Sequence, residues 1–200
     1  MNCKLYFIAA LSLLGLVSCS EDSGEDFDIN EWKTENETYF EAQYQSHLAM
    51  TGKSFILPNW SMPSSVDVKS LPHTSCILVD VLEEGIGEES PLFTDSVEIH
   101  YSGRLIPSEY YPEGYEFDRS WLTIFDPEVD PPAKFAVTNV VEGFSTALQH
   151  MHRGDRWRVT VPYQLGYGSS SSNATIPAYS VLVFQIYLSD FWQLERGDRD

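Results

Sequence analysis

Residues 141–168 read V-E-G-F-S-T-A-L-Q-H-M-H-R-G-D-R-W-R-V-T-V-P-Y-Q-L-G-Y-G, and this segment predicts a short helix followed by a strand. Apolar residues at positions i, i+3, i+4 and i+7 form one helical face, namely Phe144, Ala147, Leu148 and Met151. Gly154 follows a turn rich in His and Arg, which is typical of a helix C-terminus and predicts that the helix extends to this point. Alternation then predicts a strand with one buried face, on which lie Trp157, Val159 and Val161.

Three further segments show the same strand periodicity. Their alternating residues are Ile77, Val79 and Val81 in the first, Val97, Ile99 and Tyr101 in the second, and Leu182, Phe184, Ile186 and Leu188 in the last. Strands therefore dominate around one central helix, and the predicted fold class is α+β, an antiparallel β-sheet wrapped around a short helix. We expect this domain to span residues 74–192, with a polar tail at residues 193–200.

Residues 29–73, before this domain, predict an N-terminal helix and a connector. Asp28 is a suitable N-cap, and an imperfect apolar stripe that includes Phe40 leads to Gly52, where we expect the helix to end. Prolines and serines in residues 53–73 then predict a connector that lies over the surface.

Residues 1–18 predict a signal peptide, because the apolar run after Lys4 is too short to span a bilayer permanently. Leu-Val-Ser-Cys at residues 16–19 resembles the bacterial lipoprotein signal, which implies that Cys19 is lipidated and anchors the chain to a membrane. Residues 19–28 are acidic and predict a solvated tether. Alternatively, Ser-Glu-Asp after Cys19 resembles the surface-export tag of Bacteroidota lipoproteins. We therefore expect a lipid-anchored envelope protein at the outer membrane, exposed on the cell surface if the tag operates.

Composition and charge argue against several classes of protein. The 200 residues include 12 basic and 30 acidic residues, a formal net charge of −18, which argues against binding to nucleic acid. After cleavage and lipidation Cys76 stands alone, so we expect no intrachain disulfide and a small buried hydrophobe at this position. His150 and His152 would point in different directions on a helix, and no nearby Cys supports a zinc site, so we expect no metal.

The order of helix, strand and Gly-Tyr-Gly loop closely resembles the FKBP-type peptidyl-prolyl cis-trans isomerases, which bind macrolides. The resemblance covers roughly residues 75–192. Its motifs are H-Y-S-G at residues 100–103, F-D-R-S at residues 117–120, Val-Val at residues 140–141 and Ile-Pro at residues 176–177. The resemblance implies an FKBP-like fold and prolyl isomerase activity that needs neither a metal nor a cofactor.

The resemblance also implies which side chains form the site. Those implied to be catalytic are Tyr101, Asp118, Tyr167 and Phe144, the last in place of the tryptophan common at the pocket floor. Those implied to bind the substrate are Phe117, Phe135, Val140, Val141, Ile176 and Phe184. The implied partners are proline-containing polypeptides of the envelope or surface during folding, and macrolide-type ligands.

Several features depart from the family pattern and leave alternatives open. The loops at residues 105–115 and 121–132 are longer than usual, Ala133 replaces an aromatic residue, and Asn139 replaces an acidic one. An alternative function is therefore a non-catalytic FKBP-like binding or chaperone module in a surface lipoprotein complex. The abundant aromatic residues alone would also fit a glycan-binding lipoprotein. The N-terminal helix either dimerises, as helices of related isomerases often do, or packs on its own domain.

Overall fold

The computed structural model describes residues 27–63, 65–170 and 175–192. The predicted signal peptide, the lipid site Cys19, most of the acidic tether and the tail at residues 193–200 lie outside the described residues. In chain order the described elements are α1 (Ile29–Ala49), β1 (Ser54–Pro58), β2 (Cys76–Glu83), β3 (Ser96–Arg104), β4 (Glu116–Arg119), β5 (Ala133–Ala136), α2 (Glu142–Leu148), β6 (Arg156–Val161) and β7 (Leu182–Trp192).

The seven strands form one antiparallel sheet. Their order is β1-β2-β6-β7-β3-β4, and β5 also pairs with β3. β4 and β5 lie one after the other along the same edge of β3, since β4 pairs with residues 102–104 and β5 with residues 96–99. This architecture, with a helix before the sheet, confirms the predicted α+β class and its antiparallel sheet.

The main hydrophobic core lies between α2 and one face of the sheet. Fully buried residues on this face of β2 and β6 are Ile77, Val79, Val159 and Val161. α2 can approach them because Gly143 has no side chain: a Cβ atom there would lie 2.4 Å from Val161 Cγ1 and 3.1 Å from Ile77 Cγ2. This close approach also brings the next residue, Phe144, into the core beside β7.

α1 covers the opposite face of the sheet and thus packs on its own domain. Its N-cap is Asp28, as predicted, and the carboxylate accepts a hydrogen bond from the backbone N–H of Asn30 at 2.8 Å. Farther along the helix, Phe40 and Tyr44 form a second buried cluster with Leu78 of β2. Successive side chains of a strand point to opposite faces, so Leu78 points away from α2 while its neighbours point towards it.

α2 ends at Leu148, so the prediction that the helix extends to Gly154 is wrong. The buried Asp155 carboxylate accepts a hydrogen bond from the backbone N–H of His152 at 2.7 Å, and this bond stabilises a turn that leads into β6. Met151 is fully buried, as its position in the apolar pattern predicted, but it reaches the core from this turn and not from the helix.

The expected connector at residues 53–73 contains a strand, so the surface-connector prediction is wrong for β1. Phe55 of β1 pairs opposite Val79 of β2. Pro58 is the last residue of this edge strand, a position where proline is tolerated because its missing N–H removes no hydrogen bond to a further strand. The buried environment of Cys76, which is fully inaccessible, agrees with its prediction, and burial raises the pKa of its thiol to about 11.

We expect Gly143→Ala to lower the free energy of unfolding by up to about 2 kcal/mol. Alanine would favour the helix by about 1 kcal/mol, but overpacking against the stiff Val161 side chain costs about 1–3 kcal/mol. Urea denaturation measures the change. In a Val161→Ala background the added methyl has room, so the same substitution should there be neutral or stabilising. An equal loss in both backgrounds would show that the close approach is not the cause.

Candidate functional site

A cleft of about 450 Å³ opens beside α2, at the end of the core. Nine of the ten residues that the resemblance assigned to the site line it: Tyr101, Phe117, Asp118, Phe135, Val140, Val141, Phe144, Tyr167 and Phe184. Thr138 and Asn139 complete the lining. The structure therefore brings together residues that are far apart in the sequence and come from β3, β4, β5, α2, β7 and two loops.

Phe144 lies at the base of the cleft and is also part of the core. Only 4% of its surface is exposed. Its ring meets Phe184 edge-to-face, with ring centroids 4.9 Å apart, and meets Tyr101 edge-to-face at 6.1 Å. Such edge-to-face contacts stabilise a fixed arrangement of rings beyond the burial of apolar area. The base of the cleft is thus rigid, apolar and closed to water from below.

Phe117 and Phe135 form two walls of the cleft. The Phe117 ring packs on Phe184 at 5.9 Å, and the Phe135 ring packs on Tyr101 at 5.7 Å. They are contributed by β4 and β5, which follow one another along the edge of β3. The two walls therefore stand at different positions along the same strand.

Gly103 ends the H-Y-S-G motif and was not assigned to the site, yet it determines how the aromatic rings pack. A Cβ atom on Gly103 would lie 2.5 Å from Phe117 Cε2 and 2.9 Å from Phe184 Cε1. The absence of a side chain lets both rings close over β3. An isolated glycine within an alternating strand pattern is the available sequence signal, because it marks a close approach of other atoms to the backbone.

The polar group at the rim is a hydrogen-bonded pair. The Tyr101 hydroxyl donates to Asp118 Oδ2 at 2.5 Å. Ser120 holds the two strands in this register, since its backbone N–H donates to the Tyr101 carbonyl at 2.9 Å and its hydroxyl accepts from the Tyr101 N–H at 3.0 Å. Burial, together with the hydrogen bond to Asp118 and its charge, raises the pKa of Tyr101 well above its usual value.

Tyr167 reaches the cleft from the loop after β6 and remains 42% exposed. The adjacent Gly168 fixes the loop, since its N–H donates to the Tyr163 carbonyl at 2.7 Å and its carbonyl accepts from the Tyr179 N–H at 2.9 Å. Tyr167 therefore lies on a loop whose backbone is tied at one point to two other segments.

Val140 and Val141 border the cleft at the start of α2, where Val141 is the N-cap residue. Ile176 is placed differently from the expectation. It is only 3% exposed, belongs to the main core cluster and does not line the cleft. A match to the family motif therefore does not by itself place a side chain at the surface of the cleft.

A second groove, of about 440 Å³, lies on the opposite face of the sheet. Three of its charged side chains pair with one another: Glu116 accepts from Arg104 at 2.7 Å and lies 3.3 Å from Arg119. Within the described residues, no group of three His, Cys, Asp or Glu side chains is arranged to hold a metal ion. The aromatic cleft is the place where an apolar ligand would lose its hydration shell, so we take it as the functional site.

The ordinary pKa of a tyrosine hydroxyl is about 10. We expect the Tyr101 hydroxyl to stay protonated well above that pH. NMR of ζ-¹³C-tyrosine should show its signal, assigned by its loss in Tyr101→Phe, still at the phenol position at pH values where free tyrosine has ionised. Asp118→Asn removes the negative charge, so the midpoint should fall while staying above that of free tyrosine, because burial remains. The raised pKa of Tyr101 also stabilises the fold. This stabilisation is fully present below the pKa that the tyrosine has in the unfolded chain, and it is lost as pH rises through the pKa of the folded state. A midpoint near 10 in the folded wild type would contradict this environment.

The sequence and the fold were compared with known proteins. The family model for "FKBP-type peptidyl-prolyl cis-trans isomerase" matches residues 87–189. A relative named macrophage infectivity potentiator, from Trypanosoma cruzi, is 32% identical over 148 residues, which cover 74% of this chain and 67% of the relative. A Legionella longbeachae protein named outer membrane protein MIP is 33% identical over 137 residues, which cover 68% of this chain and 51% of the relative. The chain thus spans between half and about two thirds of the length of these relatives.

A comparison with solved structures also finds an isomerase of this type. The crystal structure of a peptidyl-prolyl cis-trans isomerase from Pseudomonas syringae pv. tomato is similar with a TM-score of 0.57 and 26% sequence identity, and the match covers 85% of this chain and 100% of that one. The matched family region includes the base Phe144 and the wall residues Phe117, Phe135 and Phe184. The chain therefore belongs to the FKBP-type peptidyl-prolyl cis-trans isomerase family.

Proposed function

We propose that the protein catalyses the cis–trans isomerisation of X-Pro peptide bonds in the cleft above Phe144. The observation that supports this most is the combination of a closed aromatic base with a polar rim formed by Tyr101, Asp118 and Tyr167. An apolar prolyl ring would fit against the aromatic base, while the flanking peptide carbonyls would remain at the rim, near the polar groups.

The physical basis is the polarity of the amide bond. Resonance makes the peptide bond planar and gives a rotation barrier of about 18–20 kcal/mol. The twisted amide loses that resonance and its charge separation, so it is less polar at the carbonyl than the planar ground state. A water-excluding aromatic cleft disfavours the planar amide more than the twisted one. This difference lowers the barrier without a nucleophile or a proton transfer.

Each side chain of the cleft has a role in this proposal. Phe144 is the base, and the walls are Phe117, Phe135, Val140 and Phe184. The Tyr167 hydroxyl and the backbone N–H of Val141 would donate hydrogen bonds to carbonyl groups of the bound peptide. The Tyr101–Asp118 pair would orient the chain at the rim. Ile176 would support the site from the core without touching the substrate.

We expect Tyr167→Phe to reduce kcat/KM for a short X-Pro peptide about fivefold. The change removes one neutral hydrogen bond, whose net contribution is on the order of 1 kcal/mol, and it leaves the apolar base intact. A protease-coupled isomerisation assay measures the effect. Tyr110→Phe is a matched control, since Tyr110 is 86% exposed and lies outside the cleft, and its activity should equal that of the wild type.

The same assay should show a rate that varies little between about pH 6 and 8, because the mechanism transfers no proton. A bell-shaped pH profile would mean that the mechanism is wrong although activity exists. If the folded protein leaves several X-Pro peptides at their uncatalysed rate of isomerisation, the proposed isomerase function is refuted.

A non-catalytic binding module is the second candidate, and two observations favour it. Ala133 in β5 stands where the family often has an aromatic wall residue, and the segment at residues 120–132, which follows Asp118 in the sequence, is longer than is usual in the family. Such a module would bind proline-containing segments in the same cleft. It would be supported if peptides bind, as seen in NMR titrations, while no isomerisation is accelerated. A macrolide-type ligand should compete for the cleft under either function.

We further propose that a lipid on Cys19 anchors the protein in the cell envelope and that its clients are envelope polypeptides. This rests on the Leu-Val-Ser-Cys sequence and on the name of the Legionella relative. Neither helix in the described part of the chain is long and apolar enough to cross a membrane.

We expect Cys19→Ala to abolish incorporation of radiolabelled fatty acid and to release the protein from the membrane fraction. Cys76→Ala is the matched control and should retain both, because Cys76 is fully buried and unmodified in this proposal. Labelling that persists in Cys19→Ala would disprove the anchor.

A further inference from the structure

α1 contacts the two segments that border Tyr167, and these contacts come from the first half of the helix. The Trp32 Nε1–H donates to the Ser180 hydroxyl at 3.1 Å. The Asn36 side chain is fully buried, and its Oδ1 accepts a hydrogen bond from the backbone N–H of Val181 at 2.7 Å. The Asn36 amide also donates to the Trp32 carbonyl at 2.8 Å, which fixes its orientation. The segment that leads into β7 is therefore bonded directly to α1.

Two further residues of the same half hold the rings of two loop tyrosines. The Tyr163 hydroxyl donates to Glu37 Oε1 at 3.0 Å. The Lys33 ammonium lies 5.0 Å from the centre of the Tyr179 ring, within the range of a cation–π contact. The two rings also meet each other edge-to-face at 5.3 Å.

These two tyrosines are the residues that fix Gly168, the residue next to Tyr167. Tyr163 accepts the hydrogen bond from the Gly168 N–H, and Tyr179 donates one to the Gly168 carbonyl. Both residues that bond the Gly168 backbone are therefore themselves contacted by α1. Asn36 holds the same region through Val181, two residues after Tyr179.

Tyr179 has a backbone conformation that supports this reading. Its φ angle is +64°, a left-handed conformation that is disfavoured for a residue with a bulky side chain. Such a conformation persists when surrounding contacts hold it, and it is commonly found where a loop needs one defined shape. The contacts that hold Tyr179 are those with Lys33, Tyr163 and Gly168.

We infer that the first half of α1 is a positioning element for Tyr167, and that Asn36 is its main positioning residue. This inference rests on the proposed isomerase function. It implies that the FKBP domain needs α1 for full activity. The second half of α1 has a different role, since Phe40 and Tyr44 cover the sheet. Asn36 acts through the loop and does not line the cleft.

A double-mutant cycle in the full-length protein tests this inference. Tyr167→Phe should lower kcat/KM about fivefold, as a lost neutral hydrogen bond does. Asn36→Ala should lower it by up to that amount in the wild-type background, and hardly at all in the Tyr167→Phe background, because it acts through the Tyr167 hydroxyl. Glu37→Ala should lower kcat/KM by a smaller factor, and again only when the Tyr167 hydroxyl is present. Glu37→Gln should keep the wild-type kcat/KM because its amide oxygen still accepts from Tyr163. Glu35→Ala, an exposed position on the same helix, is the matched control.

A second measurement does not depend on activity. In protein labelled with 3-fluorotyrosine, the ¹⁹F signal of Tyr167 is assigned by its absence in Tyr167→Phe. We expect this signal to shift or broaden in Asn36→Ala and Glu37→Ala, and to be unchanged in Glu35→Ala and Glu37→Gln. If the wild type lacks isomerase activity but these shifts occur, the proposed function fails while the positioning role stands. An unchanged ¹⁹F signal, or equal losses of kcat/KM in both backgrounds, would show that α1 only stabilises the fold.

Discussion

The packing of Phe144 against Phe184 links the hydrophobic core to the cleft, and the rest of the site depends on it. The Phe144 ring is at once a core side chain and the base on which a ligand would rest. It can hold this position because α2 lies close to β2 and β6. This close packing is possible only because Gly143 has no side chain. A second close approach, at Gly103, brings the Phe117 ring onto the same group. Two glycines that do not line the cleft thus determine where its aromatic rings lie.

This arrangement suits a reaction that needs an environment more than it needs reactive groups. When catalysis relies on a nucleophile, the reactive side chain is distinct from the residues that hold the fold. In an aromatic cleft of this kind, the same contacts provide stability and the low-polarity surface. Polar groups are confined to the rim, where Tyr101 is held by Asp118 and stays protonated. A substitution at the base would therefore change stability and activity together, whereas a substitution at the rim changes mainly activity.

Local patterns predicted the main strands and the central helix because apolar periodicity reflects which face is buried. They failed where hydrogen bonds decide the chain path. The turn stabilised by Asp155 ends α2 before Gly154, although Met151 continues the apolar pattern, and β1 lies among residues that usually mark loops. The cleft residues came from the family resemblance, since alternation alone cannot distinguish a cleft phenylalanine from a core one. Ile176 shows the limit of that transfer, because a motif match gives no depth of burial.

The contacts of α1 with the Tyr167 loop had no signal in the sequence at all. Asn36 and Glu37 are polar residues in a helix, and composition would place them on a solvated face. Their partners Val181 and Tyr163 lie more than a hundred positions away along the chain, and a single hydrogen bond between distant segments leaves no periodic trace. Only the folded arrangement shows that these side chains point at the loops.

The division of the β3 edge between β4 and β5 has a consequence for how such a domain can diversify. The segment at residues 120–132 leaves the sheet between the two short strands and returns to it, so its length is not tied to the pairing of either. Phe125 of this segment rests on His100 and Tyr187, on the face away from the cleft, with ring centroids 5.3 and 5.7 Å apart. Trp121 and Thr123 of the same segment line the second groove, so insertions here can change that face while the aromatic rings of the cleft keep their places. Evolution could thereby change what this second surface contacts without altering the cleft.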